Sequence, residues 1–174
     1  LSATLASLAP EDQRRLIFCT LTDLLAEELG GLLGLPLDVV PMPLPHDDPE
    51  PASWPARRPQ LPRVALLGGT RREKGSYLIP AIIRACRAYA PVEFLVQLAN
   101  DTLTPAEIEQ LAQIEAEPHV TLIREPMTLP EYQRALQSAD LALFPYEIIP
   151  YRKRTSGVFA EAVGYGKLVV APRG

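Results

Sequence analysis

Apolar residues along this chain fall into short runs that alternate with longer amphipathic stretches. The short runs, flanked by turn residues, are typical of buried strands, and the amphipathic stretches are typical of helices that pack on a sheet. Strands separated by helices predict parallel α/β layers. The predicted strands are residues 14–20, 35–45, 63–69, 92–98, 119–125, 140–146 and 167–172.

Two of the intervening helices carry a strong start signal. Thr104 and Glu107 have the spacing of a capping box, and Thr128 and Glu131 repeat it. In this motif the threonine hydroxyl and the glutamate carboxylate accept hydrogen bonds from backbone amides of the first turn, which would otherwise lack acceptors. The spacing therefore predicts helices that begin just after Thr104 and Thr128.

Prolines interrupt the pattern between residues 45 and 62. Repeated proline blocks both helix and central strand, and it stiffens a connection toward extended conformations. We interpret this segment as a linker that divides the chain into residues 1–44 and 63–174. A surface loop within one continuous domain is the alternative. Because the chain does not begin with Met and stops just after a predicted strand, we expect it to be a piece of a longer protein.

The composition excludes several classes of protein. With 174 residues and 47% hydrophobic content, the chain can bury a core but is short for two complete domains. Its net charge of -4 argues against general binding to nucleic acid, which usually needs a basic surface. Cys19 and Cys86 lie in apolar contexts and no signal peptide is recognisable, so a reducing compartment such as the cytoplasm is expected. His46 and His119 lack partners at metal-ligand spacing, so no metal site is predicted.

The third predicted strand runs directly into a loop of glycines and cations. In parallel α/β sheets, ligands bind beyond the carboxyl ends of the strands. Gly68 and Gly69 would let backbone amides approach a bound phosphate, and Arg71, Arg72 and Lys74 would supply full positive charges. The loop lacks the Gly-x-Gly-x-x-Gly pattern of a dinucleotide fold and reverses the residue order of a P-loop. Charged residues on a solvated turn are therefore the alternative.

Several segments resemble, in the expected order, the donor-binding half of retaining GT-B glycosyltransferases, in particular those of family 4. They are the loop GGTRREKG, the segment TLPEYQRALQSADLALFPY and the segment SGVFAEAVGYGKLVV. The resemblance covers the chain from about Arg63 to its end, and residues 20–43 resemble the tail of the acceptor-binding domain. It implies an α/β, Rossmann-like parallel sheet with flanking helices, incomplete at its carboxyl terminus, plus a remnant of the amino-terminal domain.

The resemblance also implies roles for individual residues. Arg71 and Lys74 would be the catalytic pair that grips the donor diphosphate and stabilises charge on the leaving group, with Arg72 as the alternative if the register shifts by one. Glu161 would accept hydrogen bonds from the ribose hydroxyls, since one carboxylate can accept from two neighbouring hydroxyls. An exposed helix glutamate is the alternative interpretation of Glu161.

The start of the next helix and the loop before it would complete the donor site. Ser156 and Gly157 would offer hydroxyl and amide donors to the same diphosphate; ordinary N-capping is the alternative, and both can hold together. The sequence departs from the family at Lys153, where a glutamate often contacts the transferred sugar. Lys153 and Arg154 belong to a basic loop that either binds the donor or is simply solvated.

The implied function is transfer of a sugar from a nucleoside diphosphate sugar to a hydroxyl of a saccharide or lipid-linked acceptor, with the anomeric configuration retained. No cofactor, metal or nucleic acid is implied. The missing remainder of the parent enzyme would supply the acceptor side, so the fragment alone is expected to be inactive. The full enzyme is expected in the cytoplasm or at the periphery of the inner membrane. Two alternatives stay open: a nucleotide-sugar epimerase of the same fold, and a non-catalytic interaction domain, which Lys153 favours.

Overall fold

The computed structural model describes two compact units. The described residues are 7, 12, 16–40, 42, 61–98, 104–152 and 154–173. Residues 16–40 belong to the first unit, and residues 61–98, 104–152 and 156–173 belong to the second. Residues 154 and 155 are assigned to the first unit. The predicted linker lies outside the described residues except for Leu61 and Pro62, so it stays a prediction.

The first unit is a small β-α-β arrangement. Its elements are β1 (Cys19–Thr20), α1 (Asp23–Leu33) and β2 (Asp38–Val39). The two strands are parallel, with Cys19 opposite Asp38. Both are shorter than the predicted strands, and Pro36 and Pro41 explain this for β2, because proline has no N–H to donate to a neighbouring strand. Helix α1 ends at Gly34, whose φ of 64° is the left-handed conformation that glycine adopts without strain.

The second unit alternates strands and helices as the sequence predicts. Its elements are β3 (Arg63–Leu66), α2 (Ile79–Arg87), β4 (Glu93–Gln97), α3 (Pro105–Gln113), β5 (Val120–Ile123), α4 (Leu129–Gln137), β6 (Leu141–Leu143), α5 (Ile148–Tyr151), α6 (Gly157–Gly164) and β7 (Leu168–Val170). The predicted strands are present but shorter, and the four-residue helix α5 was not predicted. In the described part of the chain, no helix is both long enough and apolar enough to cross a membrane.

The strands of the second unit form one parallel sheet in the order β5-β4-β3-β6-β7. Val64 of β3 lies between Phe94 of β4 and Leu141 of β6. From β3 the chain adds strands on one side, and after β5 it returns to add β6 and β7 on the other side. The prediction of an α/β, Rossmann-like parallel sheet flanked by helices is therefore confirmed, and β3 and β6 mark the point where the direction of winding reverses.

Both predicted capping boxes are present. Glu107 accepts from the Thr104 N–H at 2.9 Å and the Glu107 N–H donates to the Thr104 hydroxyl at 3.3 Å. The Glu131 carboxylate accepts from the Thr128 N–H at 2.8 Å. These hydrogen bonds from threonine lower the pKa of both glutamates. The bonds fix where α3 and α4 begin, and so fix the lengths of the connections that precede them.

Two hydrophobic clusters lie on the two faces of the sheet. Neighbouring residues of β3 point into different clusters, Leu66 into one and Ala65 into the other, because side chains alternate along a strand. The first cluster joins β3 and β4 to α2 and α3, with Phe94 fully buried. The second joins the sheet to α4 and α6, with Leu136 fully buried.

Removing the Leu136 side chain should show how much the second cluster contributes to the stability of the second unit. Leu136→Ala leaves a cavity under α4, and we expect it to lower the free energy of unfolding by about 2–5 kcal/mol. Leu129→Ala, on the same helix at a side chain that is 53% exposed, should change it by less than about 1 kcal/mol. Urea denaturation of the two variants gives both values. Equal losses would contradict the placement of Leu136 in the core.

Candidate functional site

The candidate site lies where the sheet reverses its direction of winding. Strands β3 and β6 are neighbours, but the chain that follows β3 leads to β4 on one side and the chain that follows β6 leads to β7 on the other. In open α/β sheets, the loops beyond the carboxyl ends of such a strand pair usually lead to opposite sides, and ligands bind in the crevice between them. The two loops span residues 67–75 and 144–147. We refer to the space between these two loops as the crevice.

Direct backbone contact joins the two loops. Gly75 is buried with a φ of 71°, and a Cβ added there would lie 1.8 Å from the carbonyl oxygen of Pro145. The Glu147 N–H donates to the carbonyl oxygen of Glu73 at 2.9 Å. Tyr77 adds a side-chain contact, since its hydroxyl donates to Glu147 Oε1 at 3.3 Å. The crevice is therefore held at one end by packed backbone.

Gly68 provides space at the end of β3. Its φ is +104°, and a Cβ added there would lie 3.1 Å from Val158 Cγ2 and 3.2 Å from Lys74 Nζ. The ammonium group and the first turn of α6 thus meet over this glycine. The Gly68 N–H donates to Gln97 Oε1 at 2.8 Å, so this amide has a protein partner and does not point to a ligand. Gly68 contributes conformation and space, whereas a ligand-facing amide was predicted; Gly69 follows it, half-buried.

Lys74 is a half-buried cation with a second cation nearby. Partial burial lowers the pKa of Lys74, the positive charge of Arg71 lowers it further, and the carboxylate of Glu73 acts in the opposite direction. Arg71 itself is exposed, while its carbonyl oxygen accepts from the Ser76 hydroxyl at 3.0 Å. A partly buried ammonium with a second positive charge nearby favours the binding of an anion, because the anion offsets both the desolvation of the ammonium and the repulsion between the two cations.

Arg72, the alternative to Arg71, is engaged within the protein. Its guanidinium pairs with Glu107 at 2.5 Å and lies 4.8 Å from the centre of the Tyr77 ring. Glu107 belongs to the first turn of α3, so this ion pair connects the loop after β3 to the helix after β4. The arrangement favours a structural role for Arg72, whereas the Lys74 ammonium lies beside Gly68.

The other wall of the crevice is the amino end of α6. Ser156 is its N-cap, and the Ser156 hydroxyl accepts from the Phe159 N–H at 3.3 Å. The same hydroxyl lies 2.9 Å from the Tyr146 hydroxyl. Burial raises the pKa of Tyr146 to about 12, so the phenol stays protonated at neutral pH. Gly157 is the first residue of the helix, where amides have no acceptor within the helix and attract anions.

Glu161 lies four residues after Gly157, and therefore one turn further along the same face of α6. It is half-buried. Tyr132, from α4, has a buried hydroxyl that meets no hydrogen-bond partner in the part of the chain that the structure describes. Burial raises the pKa of Tyr132, and the nearby Glu161 carboxylate raises it further without reaching hydrogen-bond geometry. Glu161 is thus neighboured by a phenol that the sequence did not reveal.

The predictions for the basic loop stay open. Lys153 lies outside the described residues. Arg154 is exposed and is assigned to the first unit. The preceding residues form α5, in which Tyr151 stacks on Tyr146 at 4.1 Å between ring centroids. Among the described residues, no three His, Cys, Asp or Glu side chains come together as metal ligands would.

Gln97 is the residue of the site that sequence reasoning missed. It is the last residue of β4, and it places an amide side chain at the carboxyl edge of the sheet beside β3. A signal was present, because Gln97 interrupts the apolar run FLVQL. A polar residue at the carboxyl end of a buried parallel strand is unusual and is worth testing for a role at the edge.

Comparisons with known proteins add one structural similarity. No protein-family model and no curated protein matches the chain. Among solved structures, the chain is similar to a crystal structure named "putative UDP-N-acetylglucosamine 2-epimerase from Listeria monocytogenes", with 22% sequence identity and a TM-score of 0.44. The similarity covers 63% of this chain and 27% of that one.

Substitution of Gly75 should show how much stability depends on the close contact between the two loops. Gly75→Ala adds a Cβ against the Pro145 carbonyl oxygen as well as the strain of a positive φ, and we expect it to lower the free energy of unfolding by at least about 3 kcal/mol. Gly166→Ala is the matched control, because Gly166 has a φ of +67° but nothing within 4 Å of an added Cβ. It should cost about 1–2 kcal/mol. Similar losses in the two variants, measured by urea denaturation, would argue against close packing at Gly75.

Proposed function

We propose that the second unit binds a nucleoside diphosphate sugar in this crevice and that the whole protein transfers the sugar to an acceptor hydroxyl. The observation that carries the proposal is the meeting of the Lys74 ammonium and the first turn of α6 over Gly68. One wall supplies a positive charge, and the other supplies the backbone amides at the start of α6, of which Gly157 and Val158 have no acceptor within the helix. A diphosphate, with adjacent anionic groups, fits a site that offers both kinds of donor.

The position of Glu161 supports a nucleotide over inorganic diphosphate. In a nucleoside diphosphate the ribose is joined directly to one phosphate. A diphosphate at Gly157 would therefore bring the ribose about one helical turn, roughly 5.4 Å, along α6. Glu161 stands at that spacing. Its carboxylate would accept hydrogen bonds from two neighbouring ribose hydroxyls, which phosphate oxygens cannot donate.

The chemistry follows from where charge develops. When the bond between the anomeric carbon and the diphosphate oxygen breaks, negative charge accumulates on that oxygen. Lys74 and Arg71 would stabilise this charge more strongly than they stabilise the intact donor, and such a difference is what accelerates a reaction. Retention of the anomeric configuration is proposed from the family resemblance. The acceptor, a saccharide or a lipid-linked one, is proposed on the same ground.

Binding of free nucleotides tests the proposal directly. We expect one of UDP, GDP and ADP to bind saturably in calorimetric titration. Lys74→Met and Glu161→Gln should each weaken binding by about tenfold or more, since each removes a charge-assisted contact. The matched controls are Arg84→Met on α2 and Glu109→Gln on α3, both exposed and both outside the two loops. Loss of affinity in the controls as well, or no binding of any nucleotide, would contradict the proposal. Sugar nucleotide that changes configuration without an acceptor would identify an epimerase instead.

The pH dependence of binding provides a separate test of Lys74. Only the protonated amine attracts a diphosphate, and the pKa of Lys74 lies below the ordinary lysine value of about 10.4. Affinity should therefore fall as the pH rises through that lowered pKa, at a lower pH than an ordinary lysine would give. Lys74→Arg should bind with an affinity that stays level over the same range, because arginine remains charged. If the affinity of the wild type and that of Lys74→Arg fall in parallel as the pH rises, the pH dependence belongs to another group.

A further inference from the structure

Gln97 is a polar side chain at the end of an apolar strand. Phe94 and Val96 of β4 point into the first hydrophobic cluster, and Leu95 packs against the second. Because side chains alternate, Gln97 lies on the same face as Leu95, toward α4 and α6. It is half-buried there. A half-buried amide is costly unless it is hydrogen-bonded, so its partners are informative.

Gln97 contacts the turn after β3 at two points. Its side-chain Oε1 accepts from the Gly68 N–H at 2.8 Å. Its carbonyl oxygen accepts from the Thr70 hydroxyl at 3.4 Å, and Thr70 is only 2% exposed. One residue of β4 therefore holds both sides of the turn that follows β3, with Gly69 between the two attachment points.

The position of Gly68 determines the surroundings of Lys74. The Lys74 Nζ lies 3.2 Å from the point where a Cβ of Gly68 would be, so the ammonium occupies space that only glycine leaves open. The φ of +104° that creates this space is a conformation that other residues rarely adopt. A shift of the Gly68 backbone would therefore change the contacts of the Lys74 ammonium.

We propose that Gln97 is a positioning residue, which fixes the turn at Gly68 so that the Lys74 ammonium is held at the end of β3, facing the crevice. Its importance for diphosphate binding rests on the proposed function. Its effect on Lys74 rests on geometry alone and can be measured without any nucleotide.

The choice of an amide over a carboxylate has a physical reason. A glutamate at position 97 could accept the same hydrogen bond from Gly68. Its negative charge, however, would lie next to the glycine that also contacts the Lys74 ammonium, and would partly neutralise that cation. The neutral amide holds the turn and leaves the positive charge available to a bound anion.

The competing explanation is that Gln97 only satisfies the buried amide of Gly68, as most buried polar groups in proteins are satisfied. Under that explanation, loss of the amide side chain would lower stability but would leave the environment of Lys74 unchanged. The two explanations therefore differ in what happens to Lys74.

The experiment compares Gln97→Met, Gln97→Glu and the control Gln110→Met, an exposed glutamine on α3. The first readout is hydrogen exchange of the Gly68 amide. The second is the pKa of Lys74 from NMR titration of labelled lysine; the chain has three lysines, so Lys74→Arg suffices to assign the signal. The third is the affinity for the nucleotide that the wild type binds best among UDP, GDP and ADP.

In Gln97→Met we expect faster exchange at Gly68 by about tenfold or more, a Lys74 pKa that rises toward the ordinary lysine value, and weaker nucleotide binding. In Gln97→Glu the Gly68 amide should stay protected while the added charge raises the Lys74 pKa. Gln110→Met should change none of the three.

A Lys74 pKa that stays unchanged in Gln97→Met, despite faster exchange at Gly68, would overturn the proposal. If Gln97→Met does not fold, an unchanged Lys74 pKa in Gln97→Glu would overturn it equally. A wild type that binds no nucleotide would instead refute the proposed function, and the first two readouts would still decide the role of Gln97.

Discussion

Close backbone packing between Gly75 and the Pro145 carbonyl is the constraint on which the candidate site depends. The loops after β3 and β6 lead to opposite sides of the sheet, so sheet pairing alone does not hold them together beyond the strand ends. Contact at Gly75, with the hydrogen bond between Glu147 and Glu73, joins them where no side chain would fit. Because the contact is made by backbone, the distance between the two loops at this point does not depend on side-chain rotamers.

The glycines of the first loop therefore have two different purposes. Gly75 permits one backbone to approach another, and Gly68 leaves room for the Lys74 ammonium beside α6. Both have positive φ, so a side chain would strain either position even without a collision. In sequence they look alike, as loop glycines next to cations. Only their neighbours from β4 and from the second loop distinguish them.

Much of the fold could be predicted from the sequence because its signals are local. The capping boxes at Thr104 and Thr128 are complete within four residues, and the alternation of apolar runs and helices gives the parallel sheet directly. Strand lengths were overestimated, since a strand ends where its partner ends, and the partner is distant in sequence. Helix α5 was missed because its stability depends on contacts such as the stacking of Tyr151 on Tyr146, which local propensity does not express.

The contacts among the candidate site residues could not be predicted from the sequence. Gly68 and Lys74 do follow the carboxyl end of β3, as the strand pattern predicts, because parallel topology places such loops at one edge of the sheet. The acceptor for the Gly68 amide comes from position 97 and the partner of Arg72 from position 107, at sequence separations of 29 and 35. No sequence motif spans such distances. The different environments of Arg72, which pairs with Glu107, and Lys74, which lies beside Gly68, could therefore be seen only in the structure.

The different environments of Arg72 and Lys74 have an electrostatic explanation. Arg72 has a planar guanidinium, which can pair with Glu107 and pack on Tyr77 at once, so it suits a permanent bridge. Lys74 has a different environment: partial burial and the charge of Arg71 oppose its positive charge, and the Glu73 carboxylate favours it, in a chain whose net charge is -4. In a protein with an excess of carboxylates, a local anion site is easier to keep when nearby carboxylates have other partners, and Arg72 is such a partner for Glu107.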